Sequence, residues 1–345
     1  PRVQPGDTIL MHTGVYKDDR FDYGHELDPS RRCCGTTWDG TYYLTADGTP
    51  ERPIVIQAAG DGEVVFDGAG NAKLFNLMGG DYHYFEGITF RNTSVAIETG
   101  LKDIAGSSGL TVKRSRFEDV GVGIHGDWSG SKNFYIADNV FIGRNNQEYL
   151  VPFRLDRWRE QYPELVASFP ANVNHALSQF AVKVYGSGHV VAHNEIRHFH
   201  DGIDFATYGP PENYPDTPRD RLPVSNDFYN NDIFNAHDEC IEADGPLFNI
   251  RVLRNRCVNM AGSGLSMQML YAGPAYFVRN IVYNSVGFFS AIKFSGASGG
   301  IFYHNTFITA VEGENVVNNH FRNNLIVSTR SNMPAMNLAT YTNYT

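Results

Sequence analysis

Acidic residues recur in two short segments of this chain, DGID at 201–204 and DECIE at 238–242. When the two segments are aligned on Ile203 and Ile241, Asp201 is opposite Glu239 and Asp204 is opposite Glu242. Carboxylates held this close repel one another unless they bind a cation or share protons, and acids with perturbed pKa values gather at working sites. The predicted catalytic residues are Asp201, Asp204, Asp238, Glu239 and Glu242.

Basic and aromatic residues elsewhere in the chain could recognise a sugar polymer. Aromatic faces suit stacking on sugar rings, and cationic side chains pair with carboxylates or sulfates. Two histidines each directly precede an acid of the cluster and could tune it. The predicted substrate-binding residues are Lys183, Lys293, His125, His200, His237, Trp158 and Tyr208.

Seven segments align on a central apolar residue, which predicts strands stacked side by side at about 4.8 Å. Because side chains of a strand alternate between its faces, the central residues should stack inside and the residues after them should point outward. The inner column is Ile97, Ile124, Val182, Ile203, Ile241, Leu265 and Ile292. The outer column is Glu98, His125, Lys183, Asp204, Glu242, Ser266 and Lys293.

A repeat of about two dozen residues supports this stacking. Its marker is an asparagine before an x-apolar pair, found at Asn139, Asn194, Asn231, Asn255, Asn280, Asn305 and Asn324. A fixed period of this size indicates stacked units with a shared core, and the β-branched and aromatic runs between Gly and Asn predict strands. We predict a parallel β-solenoid whose asparagines hydrogen-bond from coil to coil at one corner and adopt left-handed turn conformations.

No linker or charge block interrupts the repeat, so we predict a single β-helix domain over residues 1–345. Two insertions, about 147–178 and 207–224, interrupt the solenoid near the acidic segments. Long loops on one side of a solenoid build cleft walls and carry function. We expect these two insertions to form the walls of a cleft beside the active-site sheet.

Composition excludes several classes of partner. The chain has 345 residues and a formal net charge of −10, whereas nucleic acid requires a basic face. It contains no apolar run long enough to span a membrane. We expect a monomer that acts on a polysaccharide or oligosaccharide. The chain starts at Pro1 with strand-like sequence, from which we expect a mature secreted or periplasmic protein without its signal peptide.

The four cysteines permit three pairings. Cys240 and Cys257 lie close enough in sequence to close a loop within one coil, which would stabilise the fold by about 3 kcal/mol. Buried free thiols are the alternative. Cys33 and Cys34 are adjacent and do not easily bridge each other.

The pattern over residues 50–330 resembles the right-handed parallel β-helix of the pectate-lyase-like superfamily. Successive coils also resemble the polygalacturonase-type glycoside hydrolases, whose signature runs NTDG, DDC, GHG and RIK. The corresponding segments here are FHDGID at 199–204, DECIE at 238–242, GSGLS at 262–266 and AIK at 291–293. Ser263 and Ala291 stand where that family has the histidine of GHG and the arginine of RIK.

This resemblance implies an all-β fold, a single-stranded right-handed parallel β-helix with long loop insertions beside the active-site sheet. By this resemblance, Asp201, Asp238 and Glu239 correspond to the three carboxylates of the family, and Lys293 corresponds to the basic residue with which the family contacts its substrate. The resemblance also implies that Cys240 pairs with Cys257.

The leading interpretation of the site is glycoside hydrolysis of a polysaccharide without a cofactor. One protonated carboxyl would donate to the leaving oxygen, and an ionised carboxylate would activate water. Asp238 is the predicted general acid, with Asp201 and Glu239 activating the water. The resemblance implies inversion of configuration.

Two other interpretations remain open. The first is a Ca²⁺-assisted polysaccharide lyase or uronate epimerase, in which Lys183 removes the proton beside the substrate carboxylate and Asp204 and Glu242 bind the calcium ion. The second is a non-catalytic carbohydrate-binding β-helix, which explains the aromatic loops but not the acidic cluster.

Overall fold

The computed structural model describes residues 3–17, 40–100, 106–126, 131–144, 178–205, 224–270, 272–285, 290–329 and 334–341. Every regular element in these residues is a β-strand, and the strands pair in parallel. The chain divides into two compact units, the first of residues 1–143, 181–195 and 216–222, the second of residues 144–180, 196–215 and 223–345.

The strands of the first part of the chain are β1 (Thr8–Met11), β2 (Gly14–Lys17), β3 (Gly40–Tyr43), β4 (Ile54–Ala58), β5 (Val64–Asn76), β6 (His83–Glu86), β7 (Thr89–Thr99), β8 (Thr111–Lys113), β9 (Arg116–Gly126), β10 (Tyr135–Ala137), β11 (Val140–Gly143), β12 (Phe180–Lys183), β13 (Val190–Ala192) and β14 (Glu195–Arg197). Those of the remainder are β15 (Asp201–Asp204), β16 (Asp227–Tyr229), β17 (Asp232–Phe234), β18 (Ile241–Glu242), β19 (Ile250–Leu253), β20 (Arg256–Met260), β21 (Leu265–Gln268), β22 (Ala275–Val278), β23 (Ile281–Ser285), β24 (Ile292–Ser295), β25 (Gly300–Tyr303), β26 (Thr306–Ile308), β27 (Val311–Val316), β28 (His320–Arg322), β29 (Leu325–Ile326) and β30 (Met336–Tyr341).

Three parallel stacks build the second unit, and the chain visits each of them once per coil. One stack is β16, β19, β22, β25 and β28. Another is β17, β20, β23, β26 and β29. The third, which carries the acidic segments, is β15, β18, β21, β24, β27 and β30. This winding is the predicted right-handed parallel β-helix.

The first unit repeats the same winding. One of its stacks is β1, β4, β6, β8, β10 and β13. The long strands β5, β7 and β9 pair with one another along both remaining sides, with a shift of register in β5 between Asp67 and Asn71. Stacked phenylalanines fill the interior; Phe90, Phe117 and Phe141 follow one another with ring centroids 4.9 and 4.4 Å apart.

The predicted inner column is confirmed where the register is described. Ile203 pairs with Ile241, Ile241 with Leu265, and Leu265 with Ile292, and all four are fully buried. The outer column follows the same register, from Asp204 through Glu242 and Ser266 to Lys293. The register predicted from the sequence alignment of the coils is therefore the register of the strands that carry these side chains.

The predicted asparagine ladder is also confirmed. The side-chain amide of Asn231 donates to Oδ1 of Asn255 at 3.0 Å, and Asn255 donates in turn to Asn280 at 3.1 Å. These asparagines are buried, and their bonds satisfy polar groups inside the core. The left-handed conformation belongs to the residue before each of them, as at Asn230 and Arg254, with φ of 54° at both. The turn is thus one residue earlier than predicted, and it directs the ladder side chain inward.

Cys240 and Cys257 form a disulfide with their Cα atoms 5.9 Å apart. Both residues are fully buried, and the bond ties β20 to the segment that enters β18. The pairing implied by the family resemblance is therefore present, and the free-thiol alternative does not hold for these two residues. Cys33 and Cys34 lie outside the described residues.

Removing this disulfide should destabilise the fold without rearranging the site. We expect the double variant Cys240→Ala/Cys257→Ala to lose about 3 kcal/mol of unfolding free energy, because the oxidised chain closes a loop in the unfolded state. Chemical denaturation of both proteins, each with and without a reducing agent, measures the difference. Equal stability of oxidised wild type and variant would contradict the prediction, and the variant itself should not respond to reduction.

The predicted insertions at 147–178 and 207–224 lie outside the described residues, apart from Ser178 and Val224. Within the described residues, no helix has the length and apolar character needed to cross a membrane.

Candidate active site

The acidic segments occupy neighbouring strands of the second unit. Asp201 begins β15 and Asp204 ends it, whereas Glu239 lies just before β18 and Glu242 ends that strand. Asp204 and Glu242 are paired in register. The carboxylate oxygens of Asp201, Glu239 and Glu242 come within 4.8 Å of one another.

Asp201 and Asp204 lie near each other, since the charge of Asp204 raises the pKa of Asp201. Residues three apart in a regular strand point to opposite faces. A Cβ at Gly202 would lie 2.6 Å from the carbonyl oxygen of Cys240 and 2.7 Å from Cγ2 of the core residue Ile233, so this position faces inward, as Ile203 does. Two successive inward positions leave the acids on either side of them facing outward together.

The cluster is buried, contrary to the exposed outer face that strand alternation alone implies. The exposed fractions are 3% for Asp201, 0% for Asp204, 1% for Glu239 and 8% for Glu242. Burial raises the pKa of Asp201 well above its ordinary value, and the charges of Glu239, Glu242 and Asp204 raise it further. A hydrogen bond from the Glu239 backbone N–H to Asp201 Oδ1, at 2.9 Å, acts in the opposite direction.

Lys293 provides a positive charge inside this cluster. Its Nζ donates to Glu239 Oε1 at 2.9 Å. Burial is the largest influence on the pKa of Glu239 and raises it well above the ordinary value, which Asp238 reinforces and Lys293 opposes. Burial by itself would lower the pKa of Lys293, but the pairing with Glu239 outweighs it and the pKa is raised. The lysine therefore stays protonated while Glu239 is ionised.

Two histidines pack beside the cluster. His200 Nδ1 lies 2.6 Å from His237 Nδ1, so one ring donates to the other. On its other side, His200 Nε2 lies 3.8 Å from Asp201 Oδ2 and 3.7 Å from Asp238 Oδ2. Asp238 therefore faces the histidine pair.

Asp244 is a buried acid near the site that the sequence analysis missed. It accepts hydrogen bonds from the Ser266 hydroxyl, from the backbone N–H of Gln268 at 2.7 Å and from the Gln268 side chain at 3.1 Å. Burial raises its pKa. The sequence did contain a signal for it: Asp244 follows Glu242 by two residues, and strand alternation places residues two apart on the same, outer face.

The donor set fits a hard divalent cation. Ca²⁺ prefers several oxygen ligands, carboxylates above all, and Asp201, Glu239 and Glu242 provide them within one small buried volume. Several ionised carboxylates that close together are unfavourable unless a cation or shared protons offset their repulsion. The site can therefore bind a cation or hold protons, and Lys293 beside it can exchange a proton.

Four further residues are predicted to bind substrate: His125, Lys183, Trp158 and Tyr208. His125 and Lys183 belong to the first unit. There His125 Nδ1 is 3.0 Å from the buried Glu98 carboxylate, which also lies 3.8 Å from Lys73 Nζ. Lys183 is buried, with its Nζ 5.4 Å from the centre of the Tyr185 ring. Trp158 and Tyr208 lie outside the described residues, so their predicted role in substrate binding stays a prediction.

No protein-family model matches this chain, and no curated protein matches it by sequence. Its fold resembles the crystal structure of an alginate lyase from Paenibacillus sp. str. FPU-7, with a TM-score of 0.51 and 15% identity over 97% of this chain and 91% of that chain. More distant are pectate lyase Pel9A, at TM-score 0.40 and 16% identity over 92% and 62%, and the mannuronan C-5 epimerase AlgE6 A-module of Azotobacter vinelandii, at 0.49 and 10% over 99% and 92%. The similarity to the alginate lyase confirms the predicted parallel β-helix fold.

The prediction of a glycoside hydrolase is wrong. The structure with a TM-score of 0.51 is that of an alginate lyase, which agrees with the alternative interpretation of a lyase or epimerase. The predicted roles of Asp238 as general acid and of Asp201 and Glu239 as the water-activating pair belong to the hydrolase interpretation and fall with it.

Proposed function

We propose that this protein is a cation-assisted enzyme that removes the C-5 proton of a uronate residue in a polysaccharide, as a lyase or a C-5 epimerase. One observation carries the proposal: Asp201, Glu239 and Glu242 converge in a buried cluster, and Lys293 donates directly to Glu239. A cation ligand set and a candidate proton acceptor are thus in direct contact. Both reactions begin with the same proton transfer.

Asp201, Glu239 and Glu242 would hold the cation, and Ca²⁺ is the ion we propose for this set of oxygen donors. A bound Ca²⁺ would stabilise the negative charge that develops on the uronate carboxylate as the proton leaves. Asp204 lies next to Glu242 in the same column and adds to the negative potential that attracts the cation.

Lys293 is the proposed base. A base must be neutral to accept a proton, whereas the ionised Glu239 beside Lys293 favours the ammonium form. Neutralising Glu239 would remove the largest influence that raises the pKa of Lys293; the burial of Lys293, which lowers its pKa, would then be opposed by the weaker influences of Asp238 and Asp244. Because Lys293 contacts Glu239, the fraction of Lys293 in the neutral form, which can accept a proton, depends on the charge of the carboxylate cluster.

The products separate the two reactions. In elimination, Lys293 takes the C-5 proton, the C-4 to C-5 double bond forms, and the C-4 to oxygen bond breaks with its electron pair on the leaving sugar, which is then protonated. In epimerisation, a proton returns to C-5 from the opposite face and no bond of the polymer breaks. The carboxylate cluster and Lys293 act in the removal of the C-5 proton, the step that elimination and epimerisation share.

Uronate polymers are the substrates to test first. The similar structures are named for alginate, pectate and mannuronan, and each of these polymers carries a carboxylate beside the proton to be removed. A polymeric substrate also suits the expected secreted or periplasmic location. The predicted base Lys183 remains the alternative to Lys293 in this proposal.

The deciding experiment incubates the protein with alginate, polymannuronate, polygalacturonate and a neutral glucan, each with Ca²⁺ or with EDTA. Ultraviolet absorbance of the unsaturated product detects elimination, proton NMR detects epimerisation, and a reducing-end assay counts all cleavage. We expect activity on at least one uronate polymer that EDTA abolishes and Ca²⁺ restores. Cleavage without ultraviolet absorbance, or activity on the glucan alone, would refute the proposal, and binding without turnover would favour a carbohydrate-binding protein.

A further inference from the structure

The histidine pair links the two acidic segments. His200 Nε2 faces Asp201 from its own segment and Asp238 from the next coil, at 3.8 and 3.7 Å. The backbone N–H of Asp238 donates to the carbonyl oxygen of His200 at 2.8 Å. One residue thus contacts both segments through its ring and its backbone.

His237 fixes the orientation of the His200 ring. Its Nδ1 is 2.6 Å from His200 Nδ1, and its backbone N–H donates to the carbonyl oxygens of Phe199, at 2.9 Å, and His200, at 3.0 Å. With Nδ1 engaged by His237, the remaining nitrogen of His200 is aimed at the two carboxylates. The rings lie with their centroids 4.8 Å apart and tilted by 39°.

These contacts differ from those expected of sugar-binding residues. The sequence analysis places both histidines among the substrate-binding residues because each precedes an acid of the cluster. In the structure, each Nδ1 is engaged by the other imidazole, and the remaining nitrogen of His200 faces acids of the site. Asp201 is also held from the other side, since Glu239 N–H donates to its Oδ1.

We propose that His200 is a positioning residue for the cation site, held in its orientation by His237. This inference rests on the proposed cation-assisted function and adds two residues that do not bind the cation themselves. His200 keeps Asp201 and Asp238 in fixed positions across two coils, so that Asp201 is oriented toward Glu239 and Glu242 before the ion arrives. Partners that orient metal ligands in this way typically change metal affinity by about 10- to 100-fold when they are removed.

The test is calcium titration of the full chain by calorimetry, in the absence of substrate. We expect His200→Ala to weaken Ca²⁺ binding by about 10- to 100-fold, and His237→Ala to weaken it less, because His200 keeps its ring but loses its anchor. His237→Asn, whose amide can still bond to the His200 ring, should restore part of the loss.

His304→Asn is the matched control. His304 is an exposed histidine of the same unit with a φ of 58°, a conformation that asparagine also adopts, and it should leave Ca²⁺ affinity unchanged. Affinity of the two alanine variants equal to or tighter than wild type would overturn the positioning role alone. A wild-type chain that binds no Ca²⁺ would overturn both this role and the proposed calcium dependence. If His200→Ala fails to fold, His237→Ala and His237→Asn decide the question.

Discussion

Lys293→Ala should lower kcat/KM on the uronate substrate by about 10²- to 10⁴-fold, the range typical for loss of a general base. Lys293 donates to Glu239 at 2.9 Å, and Glu239 is one of the three converging acids that we propose as cation ligands. The proposed proton acceptor therefore lies against the group that is expected to activate the substrate. Initial rates from ultraviolet absorbance or NMR, at saturating Ca²⁺, measure the effect.

Lys293→Arg distinguishes a base from a structural charge. Arginine keeps the positive charge and can still pair with Glu239, but it does not lose its proton in the physiological range. We expect this variant to bind Ca²⁺ as the wild type does and to be nearly as inactive as Lys293→Ala. A fully active arginine variant would show that the lysine only balances charge.

Lys183→Ala is the matched comparison among the lysines of the outer column. Lys183 is the base that the sequence analysis favours for a lyase, and it is buried above the Tyr185 ring in the first unit. If Lys293 is the base, Lys183→Ala should retain far more activity than Lys293→Ala. The reverse result would move the role of base to Lys183 and leave the cation site unchanged.

The fold could be predicted because the same residue types recur once in every coil. Asn231, Asn255 and Asn280 recur once per coil since each must meet the amide of the next one at the same corner. Ile203 and Ile241 could be aligned for the same reason, because stacked interior positions all require an apolar side chain. Once the register was known, the pairing of Asp204 with Glu242 followed from the alternation of side chains.

The detailed contacts of the site could not be predicted in this way. Gly202 approaches Ile233 and Cys240 closely inside the core, so two successive residues, Gly202 and Ile203, face inward and the alternation does not hold there. The contact between Lys293 and Glu239 joins residues of different columns in different coils, which an alignment of single strands does not compare. A long lysine side chain makes such a contact possible, but its direction is set by the charges around it.

The choice between hydrolysis and elimination was also beyond the sequence. Both chemistries use clustered acids, so the DGID and DECIE segments fit either one. The convergence of Asp201, Glu239 and Glu242 and the contact of Lys293 with Glu239 arise only in the folded chain, and residue types alone do not encode them.

Without calcium, the protein should lose stability as the pH rises. The pKa values of Asp201 and Glu239 are raised in the folded state, mainly by burial, so above about pH 4, the ordinary range of carboxyls, the folded chain holds protons that the unfolded chain releases. The stabilisation from these protonated acids is fully present below that range and is lost as the pH rises through the raised pKa values. Denaturation midpoints measured in EDTA from about pH 4 upward should fall as the pH rises.

Calcium should reverse this loss, because it binds the ionised carboxylates of the folded chain. At 100 times its dissociation constant, a ligand specific to the folded state adds about 2.7 kcal/mol, and the gain should appear at neutral pH and vanish in acid, where protons compete for the same oxygens. Asp201→Asn should flatten the pH dependence in EDTA and reduce the response to Ca²⁺. The control Asp232→Asn removes a half-buried acid that pairs with Arg256 and should preserve both the pH dependence and the response to Ca²⁺. A pH slope in EDTA that Ca²⁺ does not change would mean that the cluster holds protons rather than a cation, and the proposed chemistry would then have to proceed without one.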